Sequence, residues 1–309
     1  MKATKPSTKK LPGIGAIASA LLSGGSRRWL GAGAVLLAAI VGVCVAWKNF
    51  GGAVVKSPQY IVPAENIVIT PQPEWVHVDV KADVIRNGSL QNLPLLDPQV
   101  TIKVARAFEL HTWVSRVTRV SKQFPAKIMV DLEYRQPVAM VEVNDQGKPG
   151  LVPIDGEGTV LPPEDFAERI RDYLRISAGD TIPAGPVGRP WGDEKVTGAA
   201  RVAYAILRYW KKLDLYRINV SADCLSARKP SEIIYEITTR DNFRIIWGHA
   251  PGFERPGEAQ AMEKVSRLLL YWEKNGTLTP DANIDLDLRD KNGIVIVPHT
   301  ANRGPRVRQ

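Results

Sequence analysis

The longest apolar stretch of the chain lies near its N-terminus, between Trp29 and Trp47, and contains no charged residue. At about 1.5 Å per residue, roughly 19 helical residues extend over roughly 29 Å, which matches the hydrocarbon core of a bilayer. A tryptophan at each end is typical of the two membrane interfaces. The pattern therefore predicts one transmembrane helix over residues 29–47.

The charge differs on the two sides of this stretch. Residues 1–28 contain six Lys or Arg and no Asp or Glu, whereas only Lys48 and Lys56 follow in a comparable window. Because positive charge stays on the cytoplasmic side, residues 1–28 are predicted to be a basic cytoplasmic tail. A cleaved signal peptide is the alternative, but the long leader and the long apolar run favour an anchor. A lipid-modified Cys44 is disfavoured by the branched Val43 before it.

Small residues line one face of the predicted span. Ala34, Ala38 and Gly42 follow one another at intervals of four, so they form a narrow strip along the helix. Such a strip lets a second transmembrane helix approach closely, although Ala and Gly are also common in isolated spans. The strip is a hypothesis about helix packing.

Beyond the span, residues 48–65 carry little charge and are predicted to form a linker. A short strand is expected at Asn66–Thr70. A helix is predicted at Asp79–Arg86, ending before a glycine, although Val76, Val78 and Val80 also alternate as in a strand. Asp97-Pro98 predicts the start of a second helix, with Asp97 as its N-cap and Pro98 in its first turn.

Two strands follow, at residues 114–120 and 128–132, where apolar residues recur among polar ones. The order over residues 66–137 is then strand, helix, helix, strand, strand. This order predicts a small α+β module whose helices pack on one face of a short sheet.

Residues 138–298 have the pattern of a second, β-rich module. Turn signals at Asp241-Asn242 and Asn292-Gly293 predict two hairpins. The strands are expected at 138–143, 151–154, 218–220, 233–238, 243–247, 284–288 and 294–297, and helices at 195–212 and 259–274. The whole chain is predicted to have an α+β fold, with residues 299–309 as a disordered tail.

Composition and motifs narrow the function. The net charge is +9, but the six basic residues of the tail leave only about +3 for the rest, so nucleic acid is not an expected partner. Cys44 and Cys224 cannot form a disulfide framework. No nucleophile elbow, phosphate loop or zinc motif is present, so the sequence predicts no enzyme, no cofactor, no metal and no small-molecule substrate.

The strongest acidic cluster is Asp285, Asp287 and Asp290, which could be a divalent-ion site or a carboxylate pair. Its first two members alternate with apolar residues of the same strand. This alternation favours a strand with one solvated face. The four histidines have no nearby carboxylate in sequence, so each is expected to have a surface or packing role.

The last predicted strand consists of Ile294, Val295, Ile296 and Val297, with Pro298 directly behind it. One interpretation is an edge strand whose backbone binds a partner strand. The other is a terminal strand that is buried on both faces. The pattern alone leaves both open.

Three patches of the sequence resemble the FtsQ/DivIB family of bacterial cell-division proteins. The first runs from Trp113-Val114 through Phe124-Pro125 to Ala139, and the second is Leu151–Leu161. The third comprises Ile284–Arg289 and the following Asn292–Val295. Their order and spacing carry the resemblance, which implies a POTRA domain at 66–137 and an FtsQ-type β domain at 138–298.

The resemblance implies a non-catalytic bitopic scaffold of the divisome that links early and late division proteins and helps control septal peptidoglycan synthesis. In the family, the last strands bind FtsB, a small coiled-coil membrane protein that pairs with FtsL. That contact would fall on Arg289, Asp290, Asn292, Ile294, Val295, Ile296 and Val297. Asp290 departs from the family, where an aromatic often follows the arginine.

The implied location is the inner membrane at the division septum. Two alternatives remain at this point. One is a POTRA-bearing extracytoplasmic sensor or envelope-assembly component with no role specific to division. The other is a membrane-tethered enzyme of unrecognised type, with Asp285 or Asp287 in its site.

Overall fold

The computed structural model describes residues 24–55, 58–145, 147–166, 172–279 and 283–299. Helix α1 (Gly24–Val55) has 32 residues and contains the whole predicted span. Its segment Gly31–Asn49 is long and apolar enough to cross a membrane, and none of that segment is buried inside the protein. Most of the predicted basic tail lies outside the described residues.

The first module has the predicted order of strand, helix, helix, strand, strand. Its three-stranded sheet has the order β2-β5-β4, with β2 parallel and β4 antiparallel to the central strand. A two-stranded sheet of β1 and β3 is added to this order: β1 lies before β2, and β3 lies between the two helices. Because β1 falls within residues 48–65, part of the predicted linker is a strand. The elements are β1 (Ile61–Pro63), β2 (Ile67–Ile69), α2 (Val80–Asn87), β3 (Asn92–Pro94), α3 (Val100–Glu109), β4 (Val114–Gln123) and β5 (Lys127–Tyr134).

The two helices of this module begin differently. Asp79 is the N-cap of α2, because its side chain accepts a hydrogen bond from the Ala82 N–H at 2.9 Å. The prediction that Asp97 caps the second helix is wrong, because α3 has Gln99 as its N-cap. The Asp97 carboxylate instead accepts the Gln99 N–H at 2.8 Å and closes a turn ahead of the helix.

The second module is built on an eight-stranded mixed sheet. Its strand order is β13-β12-β11-β10-β9-β8-β6-β7. The strands are β6 (Pro137–Asp145), β7 (Lys148–Asp155), β8 (Leu174–Ser177), β9 (Leu215–Val220), β10 (Tyr235–Thr239), β11 (Arg244–Gly248), β12 (Ile284–Asp287) and β13 (Val295–Pro298). Both predicted hairpins, β10 with β11 and β12 with β13, are confirmed as antiparallel pairs.

Two helices cover one face of this sheet. Helix α4 (Glu194–Ile206) connects β8 to its parallel neighbour β9, and α5 (Ala261–Asn275) connects β11 to its parallel neighbour β12. Parallel neighbours require such crossovers. The apolar faces of both helices and the inward residues of the strands form one buried core. Much of the opposite face is polar and carries ion pairs such as Arg217–Glu142 and Arg244–Glu236, but Met140 of β6 packs there into the core of the first module.

The two modules are joined by buried contacts. Trp113, directly before β4, is fully buried, and its indole N–H donates to the Asp165 carboxylate at 2.8 Å. Arg135 follows β5 and binds the Asp155 carboxylate at 2.6 Å, at the end of β7. Both contacts join residues of the first module to residues of the second.

One glycine of α4 is required by close packing. Gly198 faces the phenol ring of Tyr235, which is 1% exposed. An added Cβ would lie 2.8 Å from Cζ of that ring and would overlap its hydroxyl oxygen. We expect Gly198→Ala to lower the free energy of unfolding by about 1–3 kcal/mol, because overpacking outweighs the helix propensity of alanine.

Thermal denaturation of the detergent-solubilised chain measures this effect. Tyr235→Phe removes the closest atom, so the double variant is expected to lose less stability than the two single variants together. A Gly198→Ala variant that is more stable than the wild type would show that the helix does not approach the ring this closely.

Candidate functional site

The final strand is at one edge of the large sheet. β13 pairs with β12 on one side, and no strand among the described residues pairs with its other side. Val295 is 41% and Ile296 is 56% exposed, so the interpretation as a strand buried on both faces is wrong. Ile294, just before the strand, packs partly against the core.

The register shows which backbone groups point outward. The His299 N–H donates to the Asn283 carbonyl at 2.7 Å, so these two residues form a hydrogen-bonded pair. Hydrogen-bonded pairs alternate along an antiparallel ladder, so Val297 and Val295 also direct their backbone groups towards β12. Ile296 therefore presents its N–H and C=O to the open side of the sheet.

The chemistry of this edge is unusual for a protein surface. Natural proteins protect edge strands with charges, prolines or bulges. β13 has no charged residue, and only Pro298 at its end lacks a donor. The middle of the edge thus combines an open backbone with apolar side chains on both faces, which is a surface that an extended peptide can join.

The turn before β13 is held by its surroundings. The Asp290 carboxylate accepts the Asn292 N–H at 2.7 Å, and the Lys291 N–H donates to Gly257. Arg267 of α5 donates to the backbone carbonyl of Asp290 at 2.6 Å. These contacts fix the entry into β13, so Asp290 and Asn292 support the edge from within the turn.

The acidic residues of β12 lie on the polar face of the sheet, but the expectation that they are solvated is wrong. The side chain of Asp285 is 0% exposed, because Arg244 on the adjacent β11 and His299 after β13 cover it. The Arg289 guanidinium donates two hydrogen bonds to the Asp287 carboxylate, at 2.6 and 3.0 Å. Hydrogen bonding to Asp287 raises the pKa of Arg289, so that guanidinium is charged and engaged within the chain.

A buried charged cluster lies beneath the turn. The Glu258 carboxylate accepts hydrogen bonds from Nζ of Lys264 and from the ring and backbone nitrogens of His249, at 2.7 to 2.9 Å. The Lys264 side chain is 0% and that of Glu258 is 5% exposed. Ala259, the next residue, donates its N–H to the carbonyl of Arg289 at 2.8 Å. The cluster therefore anchors the turn to helix α5.

Burial and pairing act in opposite directions on the two charges. Burial raises the pKa of Glu258, but the hydrogen bonds from Lys264 and from two backbone N–H groups outweigh it, so the pKa is lowered overall. Burial lowers the pKa of Lys264, and Glu258 offsets only part of that effect. Glu258 is therefore the counterion that stabilises the buried ammonium group of Lys264.

The sequence contains one signal for this cluster, a lysine on the apolar face of a helix. Lys264 lies three residues after Ala261 and four before Leu268, so it occupies the apolar face of α5. A lysine there needs a buried partner. Beyond the surface or packing role expected for each histidine, His249 and His299 each contact a carboxylate, 9 and 14 residues away in sequence.

The other predicted sites are placed as follows. Ala34, Ala38 and Gly42 are exposed along α1, and nothing lies within 4 Å of a Cβ built on Gly42. Among the described residues, no three His, Cys, Asp or Glu side chains come together in a way that could hold a metal ion. Of the predicted C-terminal tail, residues 299–309, only His299 lies within the described residues.

Comparison with known proteins gives no independent identification. No protein-family model matches the chain, and no curated protein is significantly similar to it in sequence.

Proposed function

We propose that this protein is a non-catalytic, single-pass scaffold of the bacterial division machinery, and that the outer side of β13 binds an extended segment of a coiled-coil membrane partner of the FtsB/FtsL kind. The observation that carries the binding surface is the unguarded edge with Ile296 at its centre. The assignment to division rests on the sequence resemblance.

The partner would bind by β-augmentation. Its backbone would pair with the outward N–H and C=O of Ile296 and with the carbonyl of Pro298, while its side chains would pack against Val295 and Val297. Arg289, Asp290 and Asn292 would act mainly by holding the turn, since the Arg289 guanidinium binds Asp287 and the Asp290 carboxylate accepts the backbone N–H of Asn292.

The finer architecture is part of the same proposal. Residues 66–137 would be a POTRA domain, which is supported by two helices packed with a sheet of order β2-β5-β4. Residues 138–298 would be an FtsQ-type β domain. The positive charge of residues 1–28 supports a cytoplasmic N-terminus, with both modules outside the cytoplasm.

The location of the protein in dividing cells tests this function. We expect a fluorescent protein fused to the N-terminus to form a band at midcell, and depletion of the protein to produce filaments. An Ile102→Lys variant of the fusion, which adds a charge far from β13 in sequence, should still support division. Uniform fluorescence with normal division on depletion would contradict the proposal and favour an envelope sensor or assembly component.

A further inference from the structure

A second exposed apolar surface lies at the end of the first module. It consists of Tyr60, Leu96 and Phe124, which we term the tip. Phe124 is 74% and Leu96 is 45% exposed. The rings of Tyr60 and Phe124 are 6.5 Å apart, and the N–H of Leu95 donates to the Tyr60 carbonyl at 2.7 Å.

The tip is near the membrane anchor along the chain. Helix α1 ends at Val55, and Tyr60 is five residues later, so these two residues are at most about 18 Å apart. The helix continues six residues beyond the apolar segment that ends at Asn49, which is about 9 Å. Tyr60 is therefore confined to within roughly 27 Å of the end of that segment.

Because the tip is held close to the membrane, even a small apolar surface can bind lipid. A leucine and two aromatic rings are too few to hold a freely diffusing protein on lipid. A short tether makes the contact intramolecular, and a high effective concentration then populates even a weak contact. The tip also has suitable chemistry, because aromatic rings favour the interfacial layer of a bilayer.

A cation flanks the apolar residues. Lys122 is exposed at the end of β4, and its ammonium group donates to the Asp97 carbonyl at 2.6 Å. An ammonium group beside exposed aromatic residues fits the anionic headgroups of a membrane surface. The occupant that fits all these features is lipid, in the membrane that α1 can cross.

We propose that the tip rests on the lipid surface next to the span and holds the first module against the membrane. β4 has ten residues, so its two ends are about 30 Å apart. Leu110, which is 81% exposed, lies near the other end of that strand and would point away from the bilayer. Leu110 is therefore a matched control for the tip.

Lipid quenching in the full chain tests this proposal. A fluorophore is attached to Gln123→Cys, beside an intact Phe124, or to Glu109→Cys, beside Leu110, in a background of Cys44→Ala and Cys224→Ala. The chain is reconstituted in vesicles that contain anionic lipid and lipids with a spin label near the headgroup. We expect quenching at position 123 to be at least three-fold greater than at position 109.

Substitutions and a span control complete the test. The pair Leu96→Ser and Phe124→Ser should reduce quenching at position 123 to the level at position 109, whereas Leu110→Ser should leave it unchanged. In separate chains that keep Cys44 as the single cysteine, a probe on Cys44 should be quenched with and without each serine substitution, which reports insertion of α1. Equal quenching at positions 123 and 109 would overturn the proposal, as would an unquenched probe at Cys44. Neither result bears on the edge of β13.

Discussion

Replacing Ile296 by lysine is expected to weaken binding of the partner segment about 100-fold, as for the loss of a central interface residue. The side chain is 56% exposed, so a lysine can extend into water without entering the core. In the complex, its charge would have to lie beside a paired strand, which is how natural edge strands prevent such pairing. The change in the free energy of unfolding should stay within about 0.5 kcal/mol.

The measurement is a titration of the detergent-solubilised chain with a labelled extracytoplasmic segment of the proposed FtsB-type partner, with thermal denaturation alongside. Ile102→Lys is the matched control, because Ile102 is a 45% exposed isoleucine in α3 of the first module. Unchanged affinity in Ile296→Lys would mean that the partner binds elsewhere. A large loss of stability would mean that the strand belongs to the core.

Glu258→Gln is expected to lower the free energy of unfolding by about 3–5 kcal/mol, because it leaves the fully buried ammonium group of Lys264 without its counterion. Glutamine keeps the shape of the side chain and removes the charge. Lys264→Met in the same chain removes the unpaired cation, so the double variant should recover much of the loss. Glu273→Gln, on the same helix, is the surface control and should cost below about 1 kcal/mol.

The pH dependence gives a second measurement for this cluster. The pKa of Glu258 is lowered in the folded protein, so the carboxylate contributes stability above its unfolded-state pKa of about 4.3. That contribution is lost as the pH falls through the lower folded-state pKa. The double variant with Met at 264 should lose less stability than the wild type over this range. Equal acid sensitivity in both chains would contradict the assigned role of Glu258.

The Ile296 and Glu258 variants both test β13 and the turn that leads into it. Ile296 tests the open edge, whereas Glu258 tests the support behind the turn that leads to it. The two effects should separate, because Ile296→Lys changes binding without unfolding and Glu258→Gln changes folding first. A Glu258→Gln variant that stays folded but binds the partner weakly would show that the support also sets the orientation of β13.

The amino-acid sequence by itself determined the helices and hairpins that depend on residues close together in the chain. An uncharged apolar run predicts a helix that is long enough for a membrane, and periodicities of 3.6 and 2 predict the helices and the hairpins at Asp241-Asn242 and Asn292-Gly293. These predictions agree with the structure because each depends on residues a few positions apart.

Only the tertiary structure decided which strand is an edge and which charges are buried. Asp285 alternates with apolar residues as a solvated residue would, yet Arg244 covers it from 41 residues earlier in the chain. The exposure of Ile296 likewise depends on β13 having a neighbour on one side only. Strand order and ion pairing bring together residues that are far apart in sequence, and a local pattern carries no information about which distant residues will meet.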